Sequence, residues 1–223
     1  MTTLTIPGLP FPLTGAGYPP CEHRVEDGAL IMVSGPGSDL FADPAGSGSL
    51  PDAGRLTGMP PAGDFTLSSR VTVGFRSTYD AGVLLLHAAE RRWAKLCFEL
   101  SPQRTPMAVT VVTRGTSDDC NSFEVAASTL WLRVTRTGRA WAFHASPDGQ
   151  WWRLVRYFSL GEENDPAGPP GQPRSRRPAV TTGPASPVRV GFLAQSPTGQ
   201  GCTVTFDRIA LRQGAPSDLR DGS

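Results

Sequence analysis

The sequence predicts an all-β fold, a single domain spanning 1–223 in which two antiparallel sheets pack as a sandwich. Three observations carry that prediction. Short runs alternate apolar and polar residues with a period of two, glycine and proline punctuate them throughout, and no convincing amphipathic helix interrupts them. A chain of 223 residues lies within the range over which β-sandwiches form one unit, and it can bury a core without disulfides or metal. The 25 glycines and 22 prolines fall short of a disordered composition and fit many short strands joined by turns.

In chain order, 7–20 is Pro/Gly-rich and is expected to wrap the surface. Residues 65–75 alternate, with Phe65, Leu67, Val71 and Val73 on one side. Residues 81–88 are apolar on both sides, as in a central strand covered on both faces, and 88–92 is the one plausible helical turn. In 93–100, Leu96, Phe98 and Leu100 alternate with Trp93, Lys95, Cys97 and Glu99, and 107–114 follows as a further strand. The clearest stretch is 129–160. There Leu130, Leu132 and Val134 oppose Trp131, Arg133 and Thr135, Thr137-Gly138 turns into 140–146, and Asp148-Gly149 turns into 151–159. Residues 188–194 and 202–211 close the domain, giving about ten strands in two sheets. Residues 161–187, rich in Pro and Gly, read as a long loop, either a functional lid or a tolerated insertion, and 213–223 as a flexible tail.

Charge excludes more than it suggests. Lys and Arg (21) balance Asp and Glu (20), so no strong field draws nucleic acid or an anionic membrane, and the run Arg174, Arg176, Arg177 reads as solvated loop. Residues 1–12 have no basic region and are broken by Pro7 and Pro10, so no secretory leader is expected, and no membrane-length apolar run occurs. Cys21, Cys97, Cys120 and Cys202 lack zinc spacing and are expected to be reduced, which implies a cytoplasmic location.

A series of short motifs runs through the chain in fixed order. Its members are Ser38-Asp39-Leu40-Phe41, Gly63-Asp64-Phe65-Thr66-Leu67, Tyr79-Asp80-Ala81-Gly82-Val83, Trp93-Ala94-Lys95 with Glu99, 109–114, Leu130-Trp131-Leu132-Arg133-Val134, Ser146-Pro147-Asp148-Gly149, 190–197 and Phe206-Asp207. The series resembles the domain-of-unknown-function family that includes the yeast regulation-of-enolase protein, over roughly 28–212. The resemblance implies a concanavalin A-like jelly roll of the lectin and glucanase type, and no settled activity. The chain departs from the family pattern at 118–121, where Ser117-Asp118 is followed by Asp119-Cys120 rather than an aromatic, and in its expanded 161–187 loop.

Candidate chemistry follows from the faces turned away from the core. Inward Leu96, Phe98 and Leu100 put Trp93, Lys95 and Glu99 outward, and Arg114, Trp131, Arg133 and His144 are expected on non-core faces of neighbouring strands. In this fold type one outer face is concave, and aromatic plates beside fixed polar groups suit a carbohydrate-like or other polar small molecule. An ordinary solvated face with cross-strand ion pairs is the competing reading. Glu99, Lys95 and His144 are the candidates for general acid/base work of isomerase, lyase or cyclase type. The paired-carboxylate array of glucanases is absent from the strands, as are a nucleophile elbow, a phosphate loop and HExxH. No cofactor or metal is expected, although Asp39, Asp43 and Asp207 are strand-end carboxylates that a structural calcium would suit. Ser146–Trp151 resembles an Asp-box turn, with Asp148 expected to bond its own turn backbone.

Overall fold

A computed structural model describes residues 3–46, 52–161 and 187–223. The expected long loop at 161–187 falls almost entirely outside them. The described residues form two antiparallel sheets and no helix. The eight-stranded sheet runs β1 (Thr3–Leu4), β2 (Leu13–Ala16), β5 (Arg55–Gly58), β14 (Arg189–Gln195), β7 (Ala81–Ala89), β8 (Arg92–Leu100), β9 (Pro106–Arg114) and β10 (Thr116–Glu124). The seven-stranded sheet runs β13 (Arg153–Phe158), β12 (Ala140–Ser146), β11 (Thr129–Thr137), β6 (Phe65–Val73), β15 (Thr203–Gln213), β4 (Ala29–Val33) and β3 (Glu22–Glu26).

The period-two pattern decides which side chains meet between the sheets. Leu84, Leu86, Leu96, Phe98, Val112 and Phe192 face Leu67, Val71, Leu130, Leu132, Phe143 and Phe206, all buried, with Phe192 and Phe206 in ring contact at 4.9 Å. Two glycines permit close approach, one between the sheets and one between neighbouring strands. A Cβ on Gly82 would stand 2.6 Å from methyls of both Val71 and Val204, and one on Gly191 would fall on the carbonyl oxygen of Leu56 in the adjacent strand. Gly82→Ala overpacks the inter-sheet core, and chemical denaturation should show a loss of about 1–3 kcal/mol. An unchanged denaturation midpoint would mean that the sheets can separate locally.

The structure departs from the sequence expectations in four places. The proposed helical turn at 88–92 is a tight connection between β7 and β8. The surface wrap at 7–20 contains β2, which pairs with β5 and so joins the sheet. Strands β3 and β10 carry little apolar alternation because each is a sheet edge, exposed along most of its length. Residues 215–223 are not a free tail. They lie on the outer face of the seven-stranded sheet, where the Leu219 carbonyl meets His144 and the Gly222 carbonyl accepts from Arg133.

Candidate functional site

The outer face of the eight-stranded sheet is built from residues out of phase with the core. Along β8 these are Trp93, Lys95, Cys97 and Glu99, beside Val83 and Leu85 of β7, Val109 of β9 and Leu193 of β14. Most of them form a second, smaller apolar cluster, roofed by Leu40, Ala42 and Ala53. The covering segment is tied at both ends. Ser38 bridges to Ser196 beyond β14, and Ala42 exchanges hydrogen bonds with Ser117 on β10 (2.9 and 2.7 Å). Trp93, expected as an exposed aromatic plate, is therefore only 1% exposed: its face was assigned correctly, but a further layer lies over it.

One line of polar groups crosses this apolar ground. Lys95, 2% exposed, donates to Asp39 Oδ1 at 2.7 Å and to Gln195 Oε1 at 3.0 Å. Gln195 in turn directs Nε2 toward Glu99 Oε2 (3.5 Å) and the Tyr79 carbonyl (3.4 Å). The register explains the meeting. Gln195 and Glu99 flank Ala81 on opposite sides, and that small side chain leaves both free to converge. Tyr79 stands in the left-handed region (φ 69°), unusual for a bulky residue, in a loop held by buried Asp80. Asp80 accepts from the backbone N–H groups of Arg76 and Ser77 and from Ser196 Oγ at 2.6 Å.

Burial sets the charge states. It pushes the Glu99 carboxyl up to about 8 against the lowering influence of the Lys95 ammonium, and the carboxylates of Asp39 and Asp119 add like charge in the same direction. Lys95 is itself held above its ordinary value: burial opposes the charged form, but Asp39, Cys97 and Glu99 together outweigh it. At neutral pH the line thus comprises an ammonium–carboxylate pair, an amide and a protonated carboxyl.

The other expected site residues lie elsewhere. Strand β11 neighbours β6 and β12, not β8, so Trp131, Arg133 and His144 occupy the outer face of the opposite sheet. Trp131 lies beneath Gly149, where an added Cβ would stand 2.7 Å from its ring. Arg133 donates to the Gly222 carbonyl at 2.8 Å and stacks on Trp152 at 4.3 Å. His144 is fully buried, with Nε2 donating to the Leu219 carbonyl at 2.8 Å, which makes it a clamp for the C-terminal segment. Arg114 shares the parity of inward-facing Val112 and ends its strand exposed, away from Lys95 and Glu99.

Burial pushes His144 down to about 4, and the neighbouring Arg133 cation acts in the same direction. Below its unfolded value of about 6.5, the unfolded chain takes up a proton that the native chain refuses, so stability falls as pH drops toward 4. Thermal melts across that window should show a shallower acid loss for His144→Asn than for the parent. Parallel curves would place the acid sensitivity elsewhere.

The carboxylates considered for calcium are dispersed, Asp39 on Lys95 and Asp207 on Arg70. Among the described residues no group of three or more His, Cys, Asp or Glu is placed to hold a metal. Nor, among them, is any helix long and apolar enough to cross a membrane.

A family described as "Protein of unknown function (DUF1349)" matches residues 18–214. The chain belongs to that family. A comparison with curated proteins found no match. Among solved structures, this DUF1349 chain is similar to a functionally unknown protein from Saccharomyces cerevisiae, at 22% identity and a TM-score of 0.73, covering 91% of this chain and 96% of the other. It is also similar to a xylan β-1,4-xylosidase from Bacillus halodurans (12%, TM-score 0.62, 87% of this chain) and an alginate lyase from Klebsiella pneumoniae (13%, TM-score 0.52, 86% and 84% of the two chains). The DUF1349 chain spans 34% of the xylosidase's length. These likenesses establish the sandwich fold.

Of the DUF1349 residues that assemble the polar line, sequence reasoning proposed Lys95 and Glu99 as site residues, Asp39 as a motif residue and a calcium candidate, and Gln195 only as part of the 190–197 motif. A signal for Gln195 was present. Val190, Phe192 and Ala194 point inward, so Gln195 is a buried polar residue at an outward position, following apolar Leu193 on the same face.

Proposed function

We propose that this chain binds a polyhydroxylated, carbohydrate-like small molecule at the Glu99 end of the outer face of the eight-stranded sheet. The observation that supports this is the Asp39–Lys95–Gln195–Glu99 line, set beside the apolar cluster of that face. A buried ion pair is weak evidence for stability, because well-packed apolar residues commonly do as well or better. Buried polar groups with shifted protonation cluster at functional sites. The protonated Glu99 carboxyl, partly exposed at the end of the line, offers a donor and an acceptor to a hydroxyl, and it is positioned by the Gln195 amide, whose oxygen is in turn held by Lys95. Similar folds occur in proteins named as a xylosidase and an alginate lyase.

The Glu99 carboxyl also supports a second reading. A carboxyl held near 8 keeps its proton at neutral pH yet can release it, as general acid/base chemistry of the isomerase, lyase or cyclase type requires.

A thermal-shift panel of sugars, sugar acids and related metabolites tests both readings. A ligand at a hundredfold excess over its Kd adds about 2.7 kcal/mol of stability. Ligand stabilisation should appear in the parent and shrink in Gln195→Ala. Incubating each hit and following it by NMR then divides the readings, since Glu99→Gln should retain the ligand while abolishing any conversion. A panel without a single hit, or hits indifferent to Gln195→Ala, would sink the binding proposal.

A further inference from the structure

A cleft on the opposite face of the molecule carries a different chemistry. It has a volume of about 510 Å³ and is lined by Trp151, Trp152, Arg153 and Leu154 from the start of β13 and by Arg220 and Asp221 from the C-terminal segment. Its walls are fixed before any ligand arrives. Ser146 Oγ accepts from the backbone N–H groups of Asp148 (3.3 Å) and Gly149 (2.8 Å), and Asp148 Oδ1 accepts from those of Gln150 (2.8 Å) and Trp151 (3.0 Å). This is the Asp-box-like turn, which fixes the backbone of Trp151 and leaves its side chain 56% exposed. The opposite wall is held by buried His144 on the Leu219 carbonyl and by Arg133 on the Gly222 carbonyl. Gly222 packs so closely on Trp152 that a Cβ there would stand 2.7 Å from Trp152 Cβ.

The cationic groups of the cleft are uncommitted. Among the described residues neither Arg153 nor Arg220 has a carboxylate within ion-pair distance, and the Arg153 guanidinium rests on the rings of Trp151 (4.8 Å) and Phe123 (4.9 Å). The cleft's own carboxylate is engaged locally, Asp221 Oδ1 accepting from Ser223 N at 2.9 Å and Ser223 Oγ at 2.7 Å. An exposed indole beside two guanidiniums that lack a carboxylate partner is matched by a ligand with an apolar ring face and a carboxylate. The ring face stacks on tryptophan, and the carboxylate takes paired N–H donors from arginine. We propose that this cleft binds a carboxylated saccharide, a uronic-acid residue of a longer chain, independently of the Glu99 site.

The test uses the full chain, titrated with a short galacturonic-acid oligosaccharide and with the neutral galactose oligosaccharide of the same length. Calorimetry and tryptophan fluorescence are the readouts. The acidic oligosaccharide should bind and quench fluorescence, weaken as salt is raised, and lose about tenfold or more in affinity in both Trp151→Ala and Arg220→Ala. Both positions are exposed, and matching circular dichroism and melting curves will confirm that the variants fold. Gln195→Ala, which weakens binding at the Glu99 site, should leave the titration unchanged. The proposal is overturned if the acidic oligosaccharide does not bind, if the neutral one binds equally well, or if affinity survives both cleft substitutions. Loss of binding in Gln195→Ala alone would move the saccharide to the other face and overturn it equally.

Discussion

Lys95→Met should cost about 3–5 kcal/mol of stability, the range observed when one partner of a buried ion pair is removed. The substitution roughly preserves volume. It strips the Asp39 carboxylate of its cation and leaves Gln195 Oε1 without its donor. Urea denaturation of the parent and variant gives the difference directly. Because Asp39 belongs to the segment roofing the outer face, the loss should come with earlier proteolysis near the Leu40–Ala42 stretch. Adding Asp39→Asn to Lys95→Met removes the stranded charge and should recover part of the loss, so the two substitutions will be non-additive. A single-variant cost below about 1 kcal/mol would show that the ion pair does not hold the segment.

Glu99→Gln should do the opposite above neutral pH. The Glu99 carboxyl titrates near 8 in the native chain and near 4.5 when unfolded, so between those values the native state keeps a proton that the unfolded state gives up. The stability contributed by that proton is fully present below pH 4.5 and is lost as pH rises through 8. By pH 7 the loss is on the order of 3 kcal/mol. Glutamine keeps the shape and hydrogen-bonding capacity of the protonated carboxyl and does not ionise. The variant should match the parent near pH 5 and melt several degrees higher at pH 8. Curves that stay parallel from pH 5 to 8 would mean that the Glu99 carboxyl titrates as an exposed one does.

Much of this architecture was legible because alternation is a local property. Leu130, Leu132 and Val134 against Trp131, Arg133 and Thr135 fixes a face wherever the strand ends up. Neighbourhood is not local. Nothing in the residues of β8 and β11 says that they enter different sheets, and for that reason the residues expected at one site are divided between the two sheets. Trp93 was lost for a related reason, since the residues covering it, Leu40 and Ala42, come from far upstream and form no strand of their own. Strand β10 escaped notice because an exposed edge places no apolar requirement on Asp118, Asp119, Cys120 or Asn121.

The tie between Ser38 and Ser196 joins positions 158 residues apart, and the line from Asp39 to Glu99 depends on the same closure. Such distant pairings impose the largest loop-closure entropy and are completed late in folding. No fragment that lacks either the upstream segment or β14 can assemble the Glu99 site, so its occupancy reports on completion of the whole sandwich. A ligand held there would slow global unfolding rather than rigidify one loop, and hydrogen exchange would register its arrival in strands that never touch it.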